Sequence, residues 1–134
     1  MIDIEGELFT AVATVLRTEY PGIYVANDNI SKTATFPAVT IVEMDNSVYQ
    51  PGIDSGDIEN FATLMYQVDV YSNKSKGRRA ECKAIANLID AQMAGMGFVR
   101  TYLYPTPNMH DSTIYRMTGR YRGVADKNKT IYRG

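Results

Sequence analysis

The residue types of a hydrolase triad occur side by side in His110-Asp111-Ser112. A Ser-His-Asp triad works because the histidine takes a proton from the serine while the carboxylate orients the imidazole, and the three side chains converge from separate parts of a fold. Three neighbours in one loop cannot converge in this way. We therefore interpret the segment as a polar turn, and the sequence has no second histidine that could replace His110.

An acidic segment offers the oxygen ligands that calcium and magnesium prefer, through Asp54, Asp57 and Glu59. Its spacing lacks the full EF-hand pattern, and one histidine with one cysteine cannot build a site of nitrogen and sulfur ligands. We interpret it as a solvated acidic loop. The sequence predicts no metal and no cofactor.

Two further patterns could carry chemistry. Gly95-Met96-Gly97 has closely spaced glycines, but neither a following helix nor a Lys-Ser pair that would hold a phosphate, so it is interpreted as the stop of a helix. Cys82 has Arg78, Arg79 and Lys83 as neighbours that could lower its pKa, but no general base nearby in the sequence. A structural thiol is favoured, and we predict that the protein is not an enzyme.

Composition limits the classes of partner. The chain has 134 residues, 45% hydrophobic and 22% charged, which suits one compact domain with a core. The formal net charge of −1 gives no overall basic excess for nucleic acid or acidic lipid. No apolar run approaches the roughly 20 residues of a membrane span, and the acidic start is unlike a signal peptide, so we expect a cytosolic protein without a membrane partner.

Periodicity predicts the elements. Apolar residues at helical spacing predict helices from Ile4 to about Arg17 and from Arg78 to about Met93. Runs rich in β-branched and aromatic residues predict five strands, at 23–26, 36–44, 61–71, 98–104 and 113–125. The segment from Asp45 to Asn60 is interpreted as a long solvated loop.

The predicted fold class is α+β, a mostly antiparallel sheet with two helices packed on one face, in the order α-β-β-β-α-β-β. The second face of that sheet would then be uncovered in an isolated subunit. We expect residues 1–125 to form a single domain and residues 126–134 to form a flexible basic tail. The long loop and the tail are expected to become ordered only on docking to a partner.

The last long strand separates two kinds of side chain by its two-residue period. Arginines share one face, which is either a solvated outer face or a basic surface for acidic loops of a neighbouring subunit or for a polyanion. Ten tyrosines and no tryptophan add to this pattern, because tyrosine and arginine are enriched at interfaces. The candidate interface residues are Asp54, Asp57, Glu59, Arg116, Arg120, Arg122, Tyr115 and Tyr121.

Three segments carry a resemblance to a known family: the strand beginning Phe36-Pro37-Ala38-Val39, the strand Tyr66 to Ser72, and the Ala-x-x-x-Ala-Ile-Ala-x-x-Ile pattern from Ala80 to Ile89. With an amphipathic helix before them, they resemble the tail terminator and tail-completion proteins of long-tailed bacteriophages, within the minor capsid or head-tail joining group. The similarity extends from Ile4 to about Ala125, and its motifs are patterns of hydrophobicity.

The resemblance implies a structural virion protein in the tail or neck, made in the cytoplasm of the host bacterium. It implies a homo-oligomeric ring, usually a hexamer, that caps the tail tube protein and joins it to the head-connector protein. Transient passage of DNA through the ring is a further expectation. The alternatives are another head-tail connector or neck component that closes the head, and a cytosolic module that binds a small ligand or nucleic acid.

Overall fold

The computed structural model describes residues 1–27, 35–48, 60–107, 111 and 113–132. They form two helices and six strands in the order α1 (Glu5–Glu19), β1 (Tyr24–Ala26), β2 (Ala38–Val48), β3 (Phe61–Ser72), α2 (Arg78–Gly95), β4 (Val99–Pro105), β5 (Tyr115–Asp126) and β6 (Ile131–Tyr132).

Both helices are amphipathic, and each ends where the sequence disfavours its continuation. Leu8, Val12 and Leu16 recur every four residues on α1 and are buried, while Glu5 and Glu7 occupy its first turn, where the helix dipole favours negative charge. The α2 helix ends at Gly95, and Gly97 follows with a positive φ of 103°. A Cβ atom at Gly97 would lie 2.7 Å from the carbonyl oxygen of Ile131, so the close approach of the two segments requires glycine.

The strands form one sheet in the order β1-β2-β3-β5-β4, with β6 paired to β5. The pairing of β1 with β2 is parallel, and the other pairings are antiparallel. The long strands β3 and β5 pair along their whole length, from Phe61 opposite Asp126 to Ser72 opposite Tyr115. These two strands form the centre of the sheet, and the other strands flank them.

The core lies between the helices and one face of the sheet. Alternate residues of β3, namely Ala62, Leu64, Tyr66, Val68 and Val70, are all buried there. Two buried aromatic side chains of this layer, Tyr66 and Phe98, pack edge to face with their centroids 5.7 Å apart. The helices supply the opposite wall of the core through Leu8, Val12, Leu16, Ile85, Ile89 and Met93.

The predicted fold class is confirmed: both helices contribute to a core on one face of a mostly antiparallel sheet, in the predicted order of elements. One boundary is wrong. The predicted loop from Asp45 to Asn60 begins inside a strand, because β2 continues to Val48 after a bulge between Glu43 and Asp45. Pairing with the first residues of β3 holds these polar residues in extended form.

The predicted tail contains structure that the sequence did not suggest. The Asp126 carboxylate accepts hydrogen bonds from the backbone N–H groups of Asn128 and Thr130, at 2.8 and 3.0 Å, and the turn so formed returns Ile131–Tyr132 to β5. The expected flexibility of residues 126–134 stays a prediction.

Candidate interaction surface

We call the sheet face that points away from the helices the open face, because no helix or strand of the described residues packs over it. The alternation of side chains along each strand and the pairing registers identify the residues that point to the open face. They include Val42 and Asp45 of β2, Met65, Gln67, Asp69 and Tyr71 of β3, Val99, Tyr102 and Tyr104 of β4, and Arg116, Thr118, Arg120 and Arg122 of β5.

A buried carboxylate organises the centre of the open face. Asp69 is only 1% exposed, and its Oδ1 atom accepts hydrogen bonds from the Arg116 Nε, at 2.9 Å, and from the Thr118 hydroxyl. The Gln67 amide donates to its other oxygen at 3.0 Å. Because each oxygen has a donor and the charge has a partner, the carboxylate is tolerated inside the fold. Arg116 is therefore a structural partner of Asp69, and its guanidinium also lies 5.6 Å from the centre of the Tyr71 ring.

Arg120 is held differently, and part of it remains available. Its Nε donates to the Gln67 Oε1 at 3.0 Å, and its guanidinium carbon lies 5.4 Å from the centre of the Tyr102 ring. No described residue accepts from its two terminal nitrogens. The cation–π contact and the Nε hydrogen bond orient the guanidinium, so an incoming acidic group would meet a pre-organised donor pair.

Arg122 is exposed, and no carboxylate among the described residues pairs with it. It lies two residues beyond Arg120 on the same face of β5, so the two side chains are neighbours along the strand. The open face therefore has one arginine engaged inside the fold and two that can reach a partner.

Large apolar side chains extend this surface to the sheet edge. Val99, Tyr102 and Tyr104 of β4 are 41%, 42% and 64% exposed, and their registers opposite Arg122, Arg120 and Thr118 place all three on the open face. A register shift between Arg100 and Tyr102 makes this possible, because the extra residue reverses the alternation of β4. Arginines beside exposed aromatic rings form the combination that is enriched at protein interfaces.

The other predicted interface residues lie elsewhere. Tyr121 is 2% exposed on the helix-covered face, where its hydroxyl donates to Asp90 at 3.0 Å, and Tyr115 is half-buried against the same core. Asp54, Asp57 and Glu59 lie outside the described residues. The predicted interface residues do not include Tyr102 and Tyr104. Their position next to the arginines depends on the bulge between Arg100 and Tyr102, which the sequence pattern does not predict.

Two of the candidate catalytic groups, Cys82 and Asp111, are among the described residues and make structural contacts. Cys82 is fully buried, and burial, with a contribution from the Glu81 carboxylate, raises the pKa of its thiol to about 12. The Sγ atom lies 3.6 Å from the carbonyl oxygen of Val70, so the thiol is a protonated core group and not a nucleophile. Asp111 accepts from the hydroxyl and the N–H of Thr113, which lower the pKa of its carboxyl. His110 and Ser112 lie outside the described residues.

A groove of about 470 Å³ lies between α1 and the turn before β6. Its lining is mainly apolar, from Ile4, Leu8, Met96 and Ile131. The Glu7 carboxylate and the Lys129 ammonium form an exposed ion pair beside it, 2.8 Å apart. Within the described ranges, no group of three or more histidine, cysteine, aspartate or glutamate side chains is placed to hold a metal ion. Neither α1 nor α2 is long and apolar enough to cross a membrane.

Comparison with solved structures gives a fold likeness. No family model matches the chain, and no curated protein matches it. A solved structure described as "Virion of native gene transfer agent (GTA) particle" contains a similar chain, with a TM-score of 0.57 and 13% sequence identity, and the alignment covers 88% of this chain and 88% of that chain. At this identity the likeness shows a shared fold.

Proposed function

We propose that this protein is a structural component of a phage-like virion, and specifically a tail terminator that caps the tail tube as a ring and joins it to the head connector. The observation that carries the proposal is the open face, which presents two exposed arginines beside exposed valine and tyrosine side chains at the edge of the sheet. A surface of this composition is suited to protein partners. The likeness to a chain of a gene transfer agent virion supports an origin in virion assembly.

A ring requires one patch of each copy to meet a different patch of the next copy, through a rotation that closes. We propose that Arg120 and Arg122 form the basic half of this contact. We propose as the acidic half the segment with Asp54, Asp57 and Glu59, whose opposite charge would fix the order in which copies associate. Arg116, paired with Asp69, supports the face from within.

Negative-stain imaging of the purified protein, alone and mixed with phage tail tubes, tests the role directly. The proposal predicts rings that seat on one end of the tube and stop its elongation. A monomer that leaves tube ends free would contradict it. Seating on head connectors without binding to tubes would instead favour the alternative of a head-closure component of the neck.

Charge reversal tests the residues. Arg120→Glu combined with Arg122→Glu should abolish ring formation, because like charges would then face each other across the contact. Stability should change little, since both side chains are exposed, neither pairs with a carboxylate of the described residues, and the variant loses one exposed hydrogen bond, from Arg120 to Gln67.

The matched control is Arg79→Glu combined with Lys83→Glu, an equal change of charge on the exposed side of α2. This control should form rings normally. Rings from the Arg120 and Arg122 variant, or loss of rings in the control, would contradict the assignment of the basic half to β5.

A further inference from the structure

Two edges of the sheet have backbone groups without a strand partner among the described residues. β4 pairs with β5 on one side, and no described strand pairs with its outer edge from Val99 to Pro105. β1 pairs with β2 over Ala38–Thr40, and no strand of the described ranges pairs with the outer edge of residues 41–48. Unpaired strand edges are templates for strand addition, and these two lie at opposite sides of the same sheet.

We infer that β4 of one copy adds to the free part of β2 of the next copy, so that the sheets of neighbouring subunits become continuous. The inference rests on the proposed ring and identifies its backbone contact. The occupant of each edge is a second copy of this chain, because the two edges complement each other in direction, side chains and charge.

Strand direction is the first argument. Since β3 is antiparallel to both β2 and β5, and β4 is antiparallel to β5, β2 and β4 run in opposite directions. Copies related by a rotation about an axis along the strands keep their strand directions. β4 would therefore meet the next β2 in antiparallel orientation, which is the more stable pairing.

The side chains match when the two strands meet at equal height. The existing registers align Asp45, Met65, Arg122 and Val99 in one row across the open face, and Val42, Gln67, Arg120 and Tyr102 in another. Continuing these rows places Val99 beside Asp45 of the next copy, and the Tyr102 ring beside Val42 of the next copy. The exposed side chains of Val99 and Tyr102 would thereby be covered, whereas Tyr104 aligns with Thr40, whose outer edge is paired with β1.

Charge gives the third argument. In the first row, Arg122 would lie two strands from Asp45 of the next copy, a Cα separation of about 10 Å that an arginine and an aspartate side chain can bridge over Val99. Asp45 is exposed, and its carboxylate accepts a hydrogen bond from the Ser47 hydroxyl at 2.6 Å. At the far end of β4, Tyr104 aligns with Thr40, which is paired with β1, so the added strand is limited to the residues before Tyr104.

Disulfide trapping tests the inference in the full chain. Val99→Cys combined with Asp45→Cys brings two thiols within bonding distance only if β4 meets β2 of another copy. Val42→Cys and Ser47→Cys replace Asp45→Cys in parallel variants, because a shift of the register by two residues keeps the same face. Oxidation of assembled protein should give a ladder of covalent multimers for one of these pairs.

Three controls and three outcomes make the result decisive. The native chain, whose one thiol is buried at Cys82, the Val99→Cys single variant and Val99→Cys with Ala84→Cys on α2 should all lack the ladder. Rings without a ladder would overturn this inference and leave the proposed function intact. A ladder from protein that never seats on tail tubes would support the edge contact and contradict the terminator role. Absence of both rings and ladder would overturn both.

Discussion

The two faces of the sheet handle polar groups in different ways. On the helix-covered face, the Tyr66 hydroxyl donates to Glu43 at 2.8 Å and the Tyr121 hydroxyl donates to Asp90 at 3.0 Å, so polar atoms are satisfied at the border of an apolar layer. On the open face, a continuous polar network links Arg120 through Gln67 and Asp69 to Arg116. The helix-covered face forms the core of the fold, and the open face presents hydrogen-bonded charged groups at the surface.

This difference separates stability from recognition along each strand. Neighbouring residues of one strand contribute to different properties, because they point to opposite faces. Substitutions on the covered face should unfold the subunit, whereas substitutions at the rim of the open face should leave it folded and change its assembly. Measurements of stability and of assembly for variants of adjacent residues test whether the two faces differ in this way.

The largest effect is expected at Leu64, which is fully buried on the covered face. Leu64→Ala should lower the free energy of unfolding by about 2–5 kcal/mol, because it removes buried methyl groups and leaves a cavity. Its neighbour Met65 is partly exposed on the open face, and Met65→Ala should cost about 1 kcal/mol or less. Urea denaturation of both variants measures the difference, and equal losses would show that the two faces do not differ in this way.

A smaller effect is expected at Asp69, the polar centre of the open face. Asp69→Asn removes the charge that pairs with Arg116, whose side chain is 26% exposed, and should cost about 2 kcal/mol. Adding Arg116→Met should cost less than it does in the native chain, because the guanidinium has then already lost its partner. A double-mutant cycle measures this coupling. Strict additivity of the two substitutions would contradict the structural role assigned to Arg116.

The sequence correctly predicted the features of the strands that depend on the local pattern of residues. It did not predict the features that depend on how the strands pair. Alternation in β5 correctly separated the arginines from Tyr121, because the strand is regular along its whole pairing with β3. In β4, strict alternation would place Tyr102 and Tyr104 on the face of the buried Phe98. The bulge after Arg100 turns both rings to the open face instead.

The end of β2 was missed for a related reason. Asp45, Asn46 and Ser47 have low intrinsic preference for strands, and pairing with β3 holds them in the sheet. The Asn46 amide also donates to the carbonyl oxygen of Ile2 at 2.8 Å, a contact between segments far apart in the sequence. The local sequence pattern therefore could not predict that β2 extends over these residues, or that no described strand pairs with their outer edge.

Hydrogen exchange of backbone amides, compared between the free and the assembled protein, tests most directly whether the open face and its edges are where copies meet. The account predicts that assembly slows exchange in β4 and in residues 41–48 of β2, while the exposed side of α2 keeps its free rate. Slower exchange along the solvent sides of α1 and α2, with β4 unchanged, would contradict it.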